Sequence, residues 1–152
     1  MNRYVVKNLI IHSLIVGAMF GILAVIPFLG IFALFCIMLL TSPIVMLYLI
    51  MAGKYDVTDV KDSIIAGATV GFSSNITFAG IYCITIVILY LLFGYNPNFF
   101  LTAMIIHSPI WLLVVCIIFV GVVTATSNAF SGFLTHYIIN FIRDSYANKH
   151  GG

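Results

Sequence analysis

Between Asn8 and Ile142 every Asp, Glu, Lys and Arg of the chain falls within the short segment 54–62. On either side lie predominantly apolar runs, over about 8–26, 30–51, 62–93 and 99–143. A helix needs about 20 apolar residues to cross the ~30 Å hydrocarbon layer, so each run is long enough to span it. Backbone N–H and C=O groups in lipid must be bonded within their own segment, which makes each run a helix. The expected fold is all-α: a polytopic membrane protein in one domain, a four-transmembrane-helix bundle with long third and fourth helices. Composition points the same way, with 63% hydrophobic and 7% charged residues and a mean hydropathy of +1.23, against about 25% charged in soluble domains.

The breaks between runs carry turn chemistry. Pro27-Phe28-Leu29-Gly30 is a tight apolar corner, 53–62 is the one charged connector, and Gly94-Tyr95-Asn96-Pro97-Asn98 is a polar turn. Thr58 is placed to cap the third helix, with Asp59 and Asp62 complementing the positive end of its dipole. With four spans, the beginning of the chain, the connector and the end of the chain share one side. That side holds Arg3, Lys7, Lys54, Lys61, Arg143 and Lys149, all of the Lys and Arg in the sequence. The positive-inside rule makes it the cytoplasmic side, with both termini there. Arg3 and Lys7 ahead of an apolar stretch resemble a secretory leader, but no small-x-small cleavage site follows, so the stretch is read as a retained first span.

The last two runs are too long for one crossing. About 30 helical residues extend about 45 Å, which tilt alone does not accommodate. Either the helices protrude, or the fourth run breaks so that a short interfacial helix precedes a last span starting at Ser108-Pro109, where Ser suits an N-cap and Pro the first helical position.

Two kinds of pattern stand out within the spans. Gly17 and Gly21 in the first, and Gly67 and Gly71 in the third, put small residues on one helix face, the arrangement that lets helices approach closely in lipid. Thr124, Ser127, Asn128, Ser131 and Thr135 fall within about 100° of arc at 3.6 residues per turn. With Ser73, Ser74, Asn75 and Thr77 on the third helix they are candidates to line a polar cavity; otherwise they bond across the helix interface or to their own i−4 carbonyls.

Several function classes are excluded. The charge excess, 6 Lys and Arg against 4 Asp and Glu, is too small for a nucleic-acid surface. Cys36, Cys83 and Cys116 stand singly, with no pairing for a redox motif or a zinc site. His12, His107 and His136 adjoin Ser13, Ser108 and Thr135, but neighbours on a helix point about 100° apart and make no nucleophile–base pair. No charged residue lies at the centre of a span, as a proton-driven pump would need. No cofactor is implied, and no enzyme.

The tripeptide Ser42-Pro43-Ile44 recurs as Ser108-Pro109-Ile110, consistent with duplication of a helix pair. The stretch 36–51, then Lys54-Tyr55-Asp56-Val57-Thr58, then Ile65-Ala66-Gly67-Ala68-Thr69-Val70-Gly71-Phe72, with the small residues of 127–132, resembles a loose group of uncharacterised bacterial four-span membrane proteins with a glycine-rich third span. The likeness covers about half the chain, and Ser73-Ser74 and Ser131-Gly132 stand where that pattern has glycine pairs. It implies a fold and a bacterial inner membrane, and no activity. Two functions are expected: a structural or accessory subunit, packing in the bilayer as a homo-oligomer or with a membrane partner protein, or a passive channel or carrier for a small solute through the Ser/Thr/Asn stripe.

Overall fold

A computed structural model of the chain describes residues 2–56 and 59–150, with side chains as far as Tyr146. Among the described residues there are helices and no strand. Helix α1 is Arg3–Leu23, α2 Leu29–Phe35, α3 Thr41–Met51, α4 Val60–Phe93, α5 Phe99–His107 and α6 Ile110–His150, with a π-helical turn, Cys36–Leu40, joining α2 to α3. Four stretches are long and apolar enough to cross a membrane, Arg3–Leu23, Leu29–Met51, Val60–Phe93 and Ile110–Tyr146. The protein is an integral membrane helical bundle.

Local chemistry sets the ends. The Asn2 side chain accepts from the Tyr4 N–H and opens α1. Asp59 performs that service for α4 by accepting from the Lys61 N–H at 3.2 Å; Thr58, expected as this cap, lies outside the described residues. Gly94, with φ +62°, closes α4 in the left-handed region that a residue without Cβ enters freely. Phe28, at φ +68° and almost fully exposed, turns the α1–α2 corner. With ψ −32° it lies outside the left-handed helical well, a sparsely populated backbone that costs a non-glycine residue about 1–3 kcal/mol.

The fourth run is two helices rather than one span over 99–143. Pro109 cannot donate to the turn before it, and Ser108 is extended (φ −82°, ψ 147°), so α5 stops at His107 and the helix resumes at Ile110. At 1.5 Å per residue α4 is about 51 Å long and α6 about 62 Å. Both exceed the bilayer, and α4 runs unbroken.

Helix α4 is the central element, running parallel to α1 and antiparallel to α6. Lipid tails are as apolar as leucine, so close packing and polar contacts, not apolar burial, hold such helices together. A Cβ on Gly17 would strike the Ser74 carbonyl, and one on Gly21 would lie 2.8 Å from the Phe78 carbonyl, which fixes α1 against α4. On another face of α4, a Cβ on Gly67 would strike the Asn128 carbonyl, and one on Gly71 would lie 2.6 Å from both the Thr124 carbonyl and the Asn128 Cβ. The small faces of the first and third spans are thus occupied inside one molecule. Around these contacts the apolar core is three separate clusters, centred on Leu9, Met46 and Val70 near the charged end, on Ile37 and Phe78 in the middle, and on Val25, Ile86 and Ile105 near the opposite end.

Candidate functional site

The second span explains a fully buried polar group. Pro43 has no N–H, and the π-helical register shifts the Thr41 N–H to the carbonyl of Cys36. In that i→i−5 register Ser42 and Pro43 would serve the carbonyls of Ile37 and Met38. The Ser42 N–H instead donates to Asn128 Oδ1 at 2.8 Å, and Pro43 has nothing to donate. Both carbonyls accept from Asn128 Nδ2, at 2.9 and 3.0 Å, and the same nitrogen lies 3.1 Å from its own Thr124 carbonyl. Thr41 Oγ1 adds a bond of 3.1 Å to the Cys36 carbonyl. One side-chain amide from α6 therefore completes the backbone of a broken turn 86 to 91 residues away in sequence. The matching Ser-Pro-Ile at 108–110 is a helix break instead. The two tripeptides do different work.

The remaining stripe residues are placed as follows. Asn75, 3% exposed, donates to the Ile117 carbonyl at 3.3 Å and accepts from Thr124 Oγ1 at 3.4 Å. Ser74 donates to the Gly71 carbonyl, Thr77 to that of Ser73, Ser131 to that of Ser127 and Thr135 to that of Ser131. Asn75, Thr124 and Asn128 come together across α4 and α6. The other hydroxyls bond along their own helices, while Ser73 and Ser127 are half-buried.

A second polar group sits at the charged end and was not legible in the sequence. His136 Nδ1 is 3.5 Å from Ser63 Oγ, and Nε2 is 3.0 Å from the Asn140 amide nitrogen. Ser63 Oγ is also 3.4 Å from the Tyr55 hydroxyl and donates to the Asp59 carbonyl at 3.1 Å. With Asn140 donating to Nε2, His136 holds its proton on Nδ1 and points it at Ser63. Ser63 and His136 are joined through space, unlike the sequence neighbours, yet Ser63 is fully buried and its proton is engaged with the backbone. The arrangement ties the connector to α4 and α6. Burial raises the Tyr55 phenol above its ordinary pKa, as do the Asp62 and Asp56 carboxylates, while the Ser63 hydrogen bond opposes them. Arg143 adds an exposed ion pair of 2.8 Å to Asp56. His12 bonds the Asn8 carbonyl at 2.7 Å and packs on Tyr48, and His107 is exposed. Among the described residues no group of three His, Cys, Asp or Glu gathers as a metal set would.

In the half of the bundle away from the charged residues the helices part around a cavity of about 390 Å³. Its walls come from the α1–α2 corner, α2 and the π turn, α4, α5 and α6. They are apolar almost throughout, with Met38, Phe78, Ala79, Met104, Leu113 and Ile117 among them, and none of the lining residues is charged. Asn75 borders the cavity; the other eight residues of the polar stripe do not. Toward the charged side the α4–α6 seam is closed by the Gly71 contact with Thr124 and by Gly67 against Asn128. No family model, curated protein or solved structure matches the chain.

Proposed function

We propose that this protein takes up a small apolar molecule in the outer half of the bilayer, acting as a non-catalytic binding protein or carrier in a bacterial inner membrane. The cavity carries the reading. Its volume of about 390 Å³ falls within the roughly 300–1,000 Å³ of small-molecule sites, and apolar walls with few polar groups are their usual lining. The asymmetry of the Lys and Arg residues supports a cytoplasmic charged side, and with it a cavity on the outer side. The closed α4–α6 seam below Asn75 favours a dead-end pocket over an open channel, so passage would need the helices to move. The stripe residues expected to line a hydrated path are engaged in bonds between and along helices at the level where such a path would continue.

Photolabelling tests it. In lipid nanodiscs, an alkane bearing a diazirine is expected to label Met104 and the α6 segment 113–120 saturably. Ala79→Phe, which fills the cavity from α4, is expected to abolish that labelling. Label spread evenly over lipid-facing side chains such as Phe119 and Val122, and indifferent to Ala79→Phe, would overturn the reading.

One observation favours the structural or accessory role as a second reading. Ser63, in the first turn of α4, lies beside Gly132 and His136, so α6 continues past the start of its neighbour. There Tyr137, Ile138, Phe141 and Ile142 are each exposed, Phe141 at 72%. A second copy or a partner helix would cover them. A wild type that runs as a monomer by light scattering, with no partner protein co-purifying, would remove that reading.

A further inference from the structure

We infer that the molecule held in this cavity is a neutral amphiphile: an aliphatic or aromatic body with one uncharged group that both donates and accepts a hydrogen bond, of the alcohol or amide class, seated on the side chain of Asn75. The inference rests on the cavity being a binding site at all.

Charge is excluded first. None of the lining residues is Asp, Glu, Lys, Arg or His. Burying an ion without a partner costs several kcal/mol, so a charged ligand has nothing here to offset its lost hydration. A pure hydrocarbon fits the walls but leaves Asn75 unserved. A carboxamide offers two N–H groups and two lone-pair directions. Asn75 uses one of each, toward the Ile117 carbonyl at 3.3 Å and from Thr124 Oγ1 at 3.4 Å, both longer than the usual hydrogen-bond range and so weak. One donor and one acceptor position remain on a side chain that is 3% exposed and borders the cavity. Gly121 of α6 faces the same amide from outside the cavity: a Cβ there would lie 3.2 Å from the Phe72 ring, a tight approach, and 3.5 Å from Asn75 Nδ2, so a larger branched side chain would press on the amide. Asn75 lies at the inner end of the pocket, beyond Phe78, Ala79 and Tyr82 as α4 is followed from the outer side, so a ligand entering body-last places its polar end on it. Met38 and Met104 in the walls have unbranched side chains that adapt to the body's shape.

The test compares two photoreactive probes with the same alkyl body, one ending in a hydroxyl and one wholly hydrocarbon, at equal membrane concentration in nanodiscs. Wild type is expected to label with the alcohol about fivefold more than with the hydrocarbon, the worth of one net hydrogen bond. Asn75→Leu is expected to bring the ratio to one while hydrocarbon labelling persists. Gly121→Val keeps the amide and crowds it, so the ratio falls there too, which covers the case in which Asn75→Leu does not fold. A wild-type ratio of one, or a preference that survives both variants, overturns the assignment to Asn75. Those results would leave the cavity itself standing, whereas labelling by both probes that ignores Ala79→Phe removes the cavity reading.

Discussion

Asn128 holds the backbone of another span in place, and its worth follows from what its removal exposes. Side-chain hydrogen bonds between membrane helices average about 0.6 kcal/mol, because an unfolded chain in lipid also finds partners. Here loss of the amide would orphan the Ile37 and Met38 carbonyls and the Ser42 N–H together, and each unpaired buried group costs about 1–3 kcal/mol before relaxation. Asn128→Leu is therefore expected to destabilise the protein by about 2–3 kcal/mol in detergent-induced unfolding; a loss well under 1 kcal/mol would mean that the π turn repairs itself. Tyr55 gives the pH dependence. Its phenol is neutral in the docked connector, and its pKa is raised chiefly by burial. A raised folded-state pKa stabilises fully below the unfolded value of about 10 and loses that contribution as pH climbs through the folded value. Connector docking is expected to be flat through neutral pH and to weaken only in alkali. The tyrosinate absorbance missing from Tyr55→Phe should be the component that titrates above the usual phenol range.

At the scale of the element, glycine has opposite meanings at different places on α4. Gly67 and Gly71 are contact points with α6, whereas nothing lies within 4 Å of a Cβ at Gly80. Gly67→Val forces α6 outward and is expected to cost about 2–3 kcal/mol or more, as overpacking does. Gly80→Ala meets no atom and removes backbone freedom from the unfolded chain, so a gain of about 0.5–1 kcal/mol is expected. Unfolding of both variants in the same detergent measures the contrast. Span two supplies a coupled prediction. Pro43→Ala returns an N–H that can serve the Met38 carbonyl, so the cost of Asn128→Leu should shrink by about 1 kcal/mol in that background, within the range of interaction energies for residues that share partners. Full additivity of the two substitutions would contradict the shared role of the proline and the amide.

For the whole molecule, the distribution of charge and the position of the cavity are two ends of one axis. Lys54 in the connector and Asn96 in the opposite turn are both exposed. In a background lacking Cys36, Cys83 and Cys116, Asn96→Cys is expected to react with an impermeant maleimide on intact cells and Lys54→Cys only after lysis. The reverse pattern would place the cavity in the inner half of the bilayer and overturn the proposed direction of uptake. The long α6 spans the whole axis, with its start beside the cavity and its far end joined to the connector through His136, Arg143 and their partners.

The four apolar runs and the single charged connector made the all-helical membrane bundle readable from sequence, because a bilayer leaves a 20-residue apolar segment no other way to bond its backbone. The close-packing glycines were likewise visible by spacing, although not which helix each would meet. Pro43 stood in the sequence only as part of a repeated tripeptide inside the second span, and nothing local named Asn128 as the group that completes the turn beside it, since the two are brought together only by the packing of α6 on the second span. Ser63, His136 and Tyr55 were hidden for the same reason. The cavity left no trace at all: side chains such as Leu113 and Ile117 that line it are of the same kinds as those that face lipid, and only the tertiary arrangement separates an apolar wall from an apolar exterior.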